Sequence, residues 1–266
     1  MVQVTALIAL FAIGHLIFQT TEQHLQWTRR CSAWLLKILK ITVVSKFEKI
    51  PNKVLIVSNH LSWLDPIILL QQIDLLFITS TDVKNHPFLG WITQLGACHF
   101  WDRKGQNLKS EVLNAQKSLK EHSLGLFPEG TTSNGLELLP FKSSGFAIST
   151  ESNTPLQIFA LKYLKIDGDE FGTSNHEIVA YYGGKTFSES LWNILKSKSI
   201  EVELIQGPQI KGYHNRKELC LIAQDEIEKI LKIQKSHFPQ GFKTEHSSIV
   251  ASEYLPKFHE ESENHN

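Results

Sequence analysis

The 266-residue chain carries 27 Lys plus Arg against 27 Asp plus Glu, a formal net charge of zero, which argues against a general nucleic-acid binder, since that class shows a basic excess. With 42% hydrophobic residues, it has enough apolar content for one medium α/β domain with appendages. Three cysteines, Cys31, Cys98 and Cys220, are odd in number and contain no CxxC pair, which disfavours a disulfide framework or thiolate zinc site and fits a reduced, cytosol-facing compartment.

Val2 to Phe18 is an apolar run interrupted by Gln3, Thr5, Gly14 and His15. It is at the short edge of what crosses a bilayer. It lacks the basic start and small-x-small site of a cleaved signal peptide. From Thr21 to Lys40, Leu25, Trp34, Leu35, Ile38 and Leu39 alternate with Arg29, Arg30, Lys37 and Lys40, which at helical spacing makes a cationic amphipathic helix. Basic residues continue at Lys46, Lys49 and Lys53, opposed by Glu22 and Glu48. Residues 1–40 are therefore expected to be a membrane-associating helical pair on an anionic surface, with Trp27 and Trp34 as interfacial anchors. The competing reading is a helix pair packed on the domain's own core.

Residues 41–235 read as the main domain. Buried strands are predicted at Lys53–Ser58, Leu75–Ser80, Ala97–Trp101, Leu124–Phe127, Leu156–Leu161, Glu177–Tyr182 and Ile200–Gln206. Helices are predicted at Pro66–Gln72, Gln106–Glu121, Phe141–Thr150 and Asn215–Leu231. Such alternation implies an α/β fold, a mostly parallel central sheet flanked by helices. Residues 236–266 are polar and read as a flexible C-terminal tail.

Two strand ends carry chemistry. Ser58-Asn59-His60-Leu61-Ser62-Trp63-Leu64-Asp65-Pro66 follows the first predicted strand, and ligand sites in parallel sheets gather beyond carboxyl ends of strands. A short turn lets the Asp65 carboxylate reach one imidazole nitrogen of His60, fix its tautomer and raise the basicity of the other. That pair is equipped to deprotonate an alcohol. A structural His–Asp hydrogen bond and a Ser62 nucleophile are the alternatives, the latter without a Gly-x-Ser-x-Gly elbow. The second cluster, Phe127-Pro128-Glu129-Gly130-Thr131-Thr132-Ser133, pairs a tight turn with free amides and hydroxyls suited to polar oxygens. Between them, Trp101-Asp102-Arg103 also follows a strand, and Arg103 suits a phosphate.

In order and spacing these clusters resemble the glycerophospholipid acyltransferase superfamily. Residues 59–65 match its His-x4-Asp block, Phe100-Trp101-Asp102-Arg103 resembles the second, 127–133 match its Phe-Pro-Glu-Gly-Thr block, and Thr154-Pro155-Leu156-Gln157-Ile158 resembles the last. Phe141-Lys142-Ser143-Ser144-Gly145 is similar to the segment that usually follows the third block. The resemblance implies an O-acyltransferase acting on a lysolipid such as lysophosphatidate or a lysophospholipid, in phospholipid synthesis or remodelling. The co-substrate would be acyl-CoA or acyl-carrier protein, with no cofactor and no metal. His60 would be the general base and Asp65 its partner, with Arg103, Glu129, Gly130, Thr131 and Thr132 toward the acceptor. Attack would be direct, through an oxyanion rather than an acyl-enzyme. The expected setting is the cytoplasmic face of a membrane. One departure bears on the acceptor: Thr132 stands where lysophosphatidate enzymes commonly carry arginine, which favours a less anionic acceptor such as lyso-ornithine lipid. Other readings are a non-catalytic lipid-binding membrane protein, against which the intact His60, Asp65 and Glu129 argue, and a hydrolase using water.

Overall fold

The structure is a computed structural model; it describes residues 2–46, 50, 52–84, 90, 98–101 and 108–232. Arg103 and the 236–266 tail lie outside the described residues. Two helices open the chain, α1 (Val2–Ile17) and α2 (Thr21–Ile38). A capping box starts α2: the Thr20 hydroxyl accepts from Gln23 N at 3.2 Å, and the Gln23 side chain accepts from Thr20 N at 3.3 Å. The pair closes as a hairpin because Gly14 lacks a side chain where the Trp27 indole lies against it.

The remaining elements follow in order: β1 (Ile41–Lys46), β2 (Leu55–Val57), α3 (Asp65–Gln72), β3 (Leu75–Ser80), α4 (Thr81–Lys84), β4 (Cys98–Trp101), α5 (Leu108–Leu119), β5 (Ser123–Leu126), α6 (Ala147–Ser152), β6 (Leu156–Ile166), β7 (Asp169–Glu170), a 3-10 turn (His176–Ile178), α7 (Phe187–Lys196), β8 (Ile200–Ile210) and α8 (Arg216–Leu231). Among the described residues the strands form one sheet in the order β1-β8-β6-β2-β5-β3-β4, with β7 beside β6. The pairs from β6 through β2, β5 and β3 to β4 are parallel; β8 runs antiparallel to β6, and β1 parallel to β8.

Side chains alternate across this sheet. Val54, Ile56, Phe77, Phe159 and Leu161 join Leu36 and Leu39 from the end of α2, Ile68 of α3 and Ile194 of α7 on one face. Leu55, Val57, Leu124, Ile158 and Ala160 meet Val112 of α5, Ile148 of α6 and Ala223 of α8 on the other. The outcome is the expected α/β architecture, helices covering both faces of a mostly parallel sheet.

Two predicted elements differ in kind or extent. Glu177–Tyr182 is not a strand: Val179 and Ala180 are fully buried, yet their amides turn back to the His176 carbonyl at 3.2 and 2.9 Å. A short apolar run records burial, not strand geometry. In the predicted helix Phe141–Thr150, helix begins only at Ala147, because the amides of Phe141 and Lys142 bond to Gln224 and to the Pro128 carbonyl. Conversely, α7 was not anticipated, although Thr186-x-x-Glu189 is a capping box and forms one.

Candidate active site

Strands β2 and β5 are parallel neighbours with Val57 opposite Leu126. Counting three residues beyond each places His60 level with Glu129, so the two sequence clusters leave the sheet side by side. The ladder runs one step further, Ser58 N donating to Leu126 O at 3.2 Å. On the opposite flank, the Asn59 side chain imitates a strand partner. Its Nδ2 donates to Leu161 O at 3.0 Å and its Oδ1 accepts from Leu161 N at 2.8 Å, tying the turn to β6.

That turn wraps Asp65, which is 0% exposed. Oδ2 accepts from Leu61 N and Ser62 N, both at 2.7 Å, and lies 2.8 Å from His60 Nδ1. Oδ1 accepts from the Tyr163 hydroxyl at 2.9 Å. Burial, then the nearby Asp65 charge, pushes the Tyr163 phenol well above its ordinary value, which keeps it a donor. An acceptor so fully surrounded by donors makes His60 Nδ1 the proton-bearing nitrogen and leaves the lone pair on Nε2. Among the described residues Nε2 has no hydrogen-bond partner, and the side chain is 19% exposed. The ring lies flat on Phe127, centroids 4.0 Å apart at 13°, and Phe127 lies on Phe77 at 5.3 Å and 9°.

Glu129 acts below this surface. It is 2% exposed; Oε1 accepts from His60 N at 2.6 Å and Oε2 from Leu139 N at 3.0 Å. Burial pushes its carboxyl up to about 8 despite those two donors, and the Asp65 charge adds to the rise. Its oxygens therefore hold two loops together and are occupied on the protein side. Gly130 has φ +70°, a backbone that favours glycine. Thr131 is exposed, whereas the Thr132 hydroxyl donates to the Tyr181 carbonyl. Tyr181 N in turn donates to Leu61 O at 2.8 Å, and Ser133 N to His60 O at 2.9 Å.

The structure thus brings His60, Asp65, Glu129, Gly130 and Thr132 together, while Arg103 lies outside the described residues beyond the end of β4. Ser62 is fully buried and its Oγ accepts from Leu64 N at 3.3 Å, so it is no nucleophile at the surface. Thr154–Ile158 sits at the amino end of β6, the strand beside β2, with Leu156 opposite Leu55 and Ile158 opposite Val57, so Thr154 lies away from the carboxyl strand ends that His60 follows. Tyr163, Tyr181 and Leu139 escaped the sequence reading; each reaches the site from a distant segment, and no local pattern marks them. Among the described residues no group of three or more His, Cys, Asp or Glu is arranged to hold a metal ion.

The chain resembles known proteins in sequence and in fold. A family model described as Acyltransferase matches residues 41–162. The chain is similar to a lyso-ornithine lipid O-acyltransferase of Rhizobium meliloti (strain 1021), 30% identical over 210 residues, covering 75% of this chain and 72% of that protein. It is also similar to a 1-acyl-sn-glycerol-3-phosphate acyltransferase of Neisseria gonorrhoeae, 27% identical over 156 residues, covering 58% and 59%. The crystal structure of the 1-acyl-sn-glycerophosphate acyltransferase PlsC from Thermotoga maritima shares the fold, with a TM-score of 0.55 at 17% identity, covering 86% of this chain and 90% of that one.

Proposed function

Because the chain belongs to the glycerophospholipid acyltransferase family, we propose that it transfers a fatty acyl group from acyl-CoA or acyl-carrier protein to the free hydroxyl of a lysolipid, with His60 as general base. The observation that carries this reading is the His60 Nδ1 contact to the buried Asp65 at 2.8 Å, which leaves the Nε2 lone pair to act as a base. The hydroxyl proton passes to Nε2 while the alcohol oxygen attacks the thioester carbonyl. The resulting imidazolium is stabilised by Asp65. Collapse of the tetrahedral intermediate forms the ester and breaks the C–S bond, and the departing thiolate takes the proton from Nε2. No metal or cofactor beyond the thioester co-substrate enters this scheme. Glu129 supports the base through the His60 backbone, Gly130 and Thr131 border the acceptor side, and in this reading Arg103 serves as a further ligand for the acceptor.

The acceptor divides into two readings. Lysophosphatidate or another lysophospholipid is the first. Lyso-ornithine lipid is the second, favoured by Thr132, whose hydroxyl is engaged by Tyr181 where an arginine would meet a phosphate. Labelled acyl-CoA and acyl-carrier protein offered with both acceptors, followed by product identification, test the proposal. Thioester cleavage releasing only free fatty acid would replace it with a hydrolase.

The helical hairpin suits attachment to the cytoplasmic face of a membrane. Leu10, Ile13, Leu16, Ile17 and Trp34 are exposed apolar residues on α1 and α2, flanked by Arg30 and Lys37. Among the described residues no helix is long and apolar enough to cross a membrane; α1, at 16 residues, reaches about 24 Å against a hydrocarbon core of about 30 Å. An in-plane arrangement satisfies both its length and its exposed apolar side.

A further inference from the structure

We propose that Lys142 is the cation that holds the acceptor's headgroup oxyanion, a phosphate or a carboxylate, at the mouth of the His60 site. The inference rests on the acyl-transfer reading and names the group that would orient its acceptor. Lys142 lies 12 residues beyond Gly130, in a segment that reads as helix and resembles the one following the family's third block, so the sequence marks the residue but not its distance from the site.

The fold brings it back. Lys142 N donates to Pro128 O at 2.8 Å, so its backbone is fastened to the turn that carries Glu129. Its neighbour Phe141 is held from α8 at both backbone groups: Phe141 N donates to Gln224 Oε1 at 3.0 Å, and the Cys220 thiol approaches Phe141 O at 3.6 Å. The side chain then lies along Gly130. A Cβ built on Gly130 would stand 2.8 Å from Lys142 Nζ and 3.2 Å from its Cδ. The absence of a side chain at Gly130 is what lets the ammonium lie over the turn, one residue from the Glu129 that bonds the His60 amide.

The ammonium is also available. Among the described residues Nζ makes no hydrogen bond and no ion pair. The two carboxylates nearest in the site are no rivals for it: Asp65 and Glu129 are buried and saturated by backbone and side-chain donors. A free lysine ammonium over the Gly130 turn, on the loop whose Glu129 bonds the His60 amide, matches an acceptor whose hydroxyl and oxyanion are a few bonds apart. That description fits the phosphate of lysophosphatidate and the carboxylate of lyso-ornithine lipid alike. Thr132 does not compete for the role, its hydroxyl being bonded to Tyr181.

The test uses the full-length protein in mixed micelles, with lysophosphatidate, lyso-ornithine lipid and monoacylglycerol, which has hydroxyls but no oxyanion. Lys142→Gln should raise KM for whichever oxyanion acceptor the wild type uses by roughly 10- to 100-fold, the scale of one lost charge-assisted contact. It should leave kcat within a few-fold and spare any monoacylglycerol activity; Lys142→Arg should restore the KM. The phosphate and carboxylate arms separate the two sources of the oxyanion. Lys142→Met, which keeps the aliphatic stem, serves if the Gln variant folds poorly. An unchanged KM, a loss confined to kcat, or equal losses on all three acceptors would overturn the role of Lys142 alone. A wild type that acylates no lysolipid would overturn the acyl-transfer reading and this inference with it.

Discussion

In the proposed mechanism Asp65 orients the partly buried His60 as the base, and variants of the pair separate geometry from charge. His60→Ala removes the proton acceptor and should lower kcat by about 10²–10⁴-fold with an unchanged circular dichroism spectrum. Asp65→Asn retains one oxygen for the Leu61, Ser62 and His60 donors, so the fold should survive, but the imidazolium loses its counter-charge and turnover should fall comparably. Near-normal turnover in either folded variant would sink the mechanism. Tyr163→Phe leaves Oδ1 of a buried carboxylate without its donor, and should cost about 1–3 kcal/mol of stability, read by urea unfolding. Glu129 gives a pH signature. Its folded pKa is raised from 4.5 to about 8, so the native state holds the proton more tightly than the unfolded chain. The stability this contributes is complete below the ordinary value and is lost as pH rises toward about 8. The urea midpoint should therefore decline across that window, and less steeply in Glu129→Gln, which has no proton to lose; parallel slopes in the two proteins would refute the assignment.

At the scale of elements, the two N-terminal helices are not equivalent. Leu36 and Leu39, at and just beyond the end of α2, sit in the core, and Arg29 bonds the Gln71 carbonyl at 3.0 Å beside Asp74. By contrast, α1 packs on α2, where Gly14 meets Trp27, and exposes Leu16 at 86%. Removing residues 2–18 should leave a cooperative unfolding transition, whereas removing 2–40 should abolish it; a folded 2–40 deletion would contradict the packing. The strand β3 could be read to its ends because Leu75–Ser80 is an apolar run bounded by polar neighbours. The segment 177–182 could not, since Gly183 and Gly184, both at positive φ, lie at the end of a loop whose buried residues have no free strand beside them to pair with. The α7 helix was legible in its capping box and in Leu191, Ile194 and Leu195, once burial is not equated with strand.

Over the whole molecule, a net charge of zero hides an uneven distribution: residues 1–53 carry 7 Lys plus Arg against 2 Asp plus Glu, a local excess of +5. Electrostatic attraction to anionic vesicles should therefore come from that end, and added salt should weaken it. The apolar face of α1 contributes a part that salt does not screen. Full-length protein should sediment with anionic vesicles more than with neutral ones, and a protein lacking residues 2–18 should bind far less in high salt. Equal sedimentation of both forms under those conditions would move the attachment elsewhere.

What the sequence determined by itself is local. His60 and Asp65 are five residues apart across a turn, so chain geometry alone nearly dictates their contact, and the apolar runs dictate a sheet with helices on its faces. What tertiary structure decided is which distant groups support that pair. Glu129 reaches the His60 amide across 69 residues, and Tyr163 reaches Asp65 across 98. Both contacts exist because β2 lies between β5 and β6. Strand order is chosen by the burial of two whole faces at once, a property of the entire chain that no short window contains. For the same reason spacing does not show the acceptor side's contacts: Glu129 and Thr132 are bonded to loops folded over them, and Lys142, in the segment after the third block, is carried to Gly130.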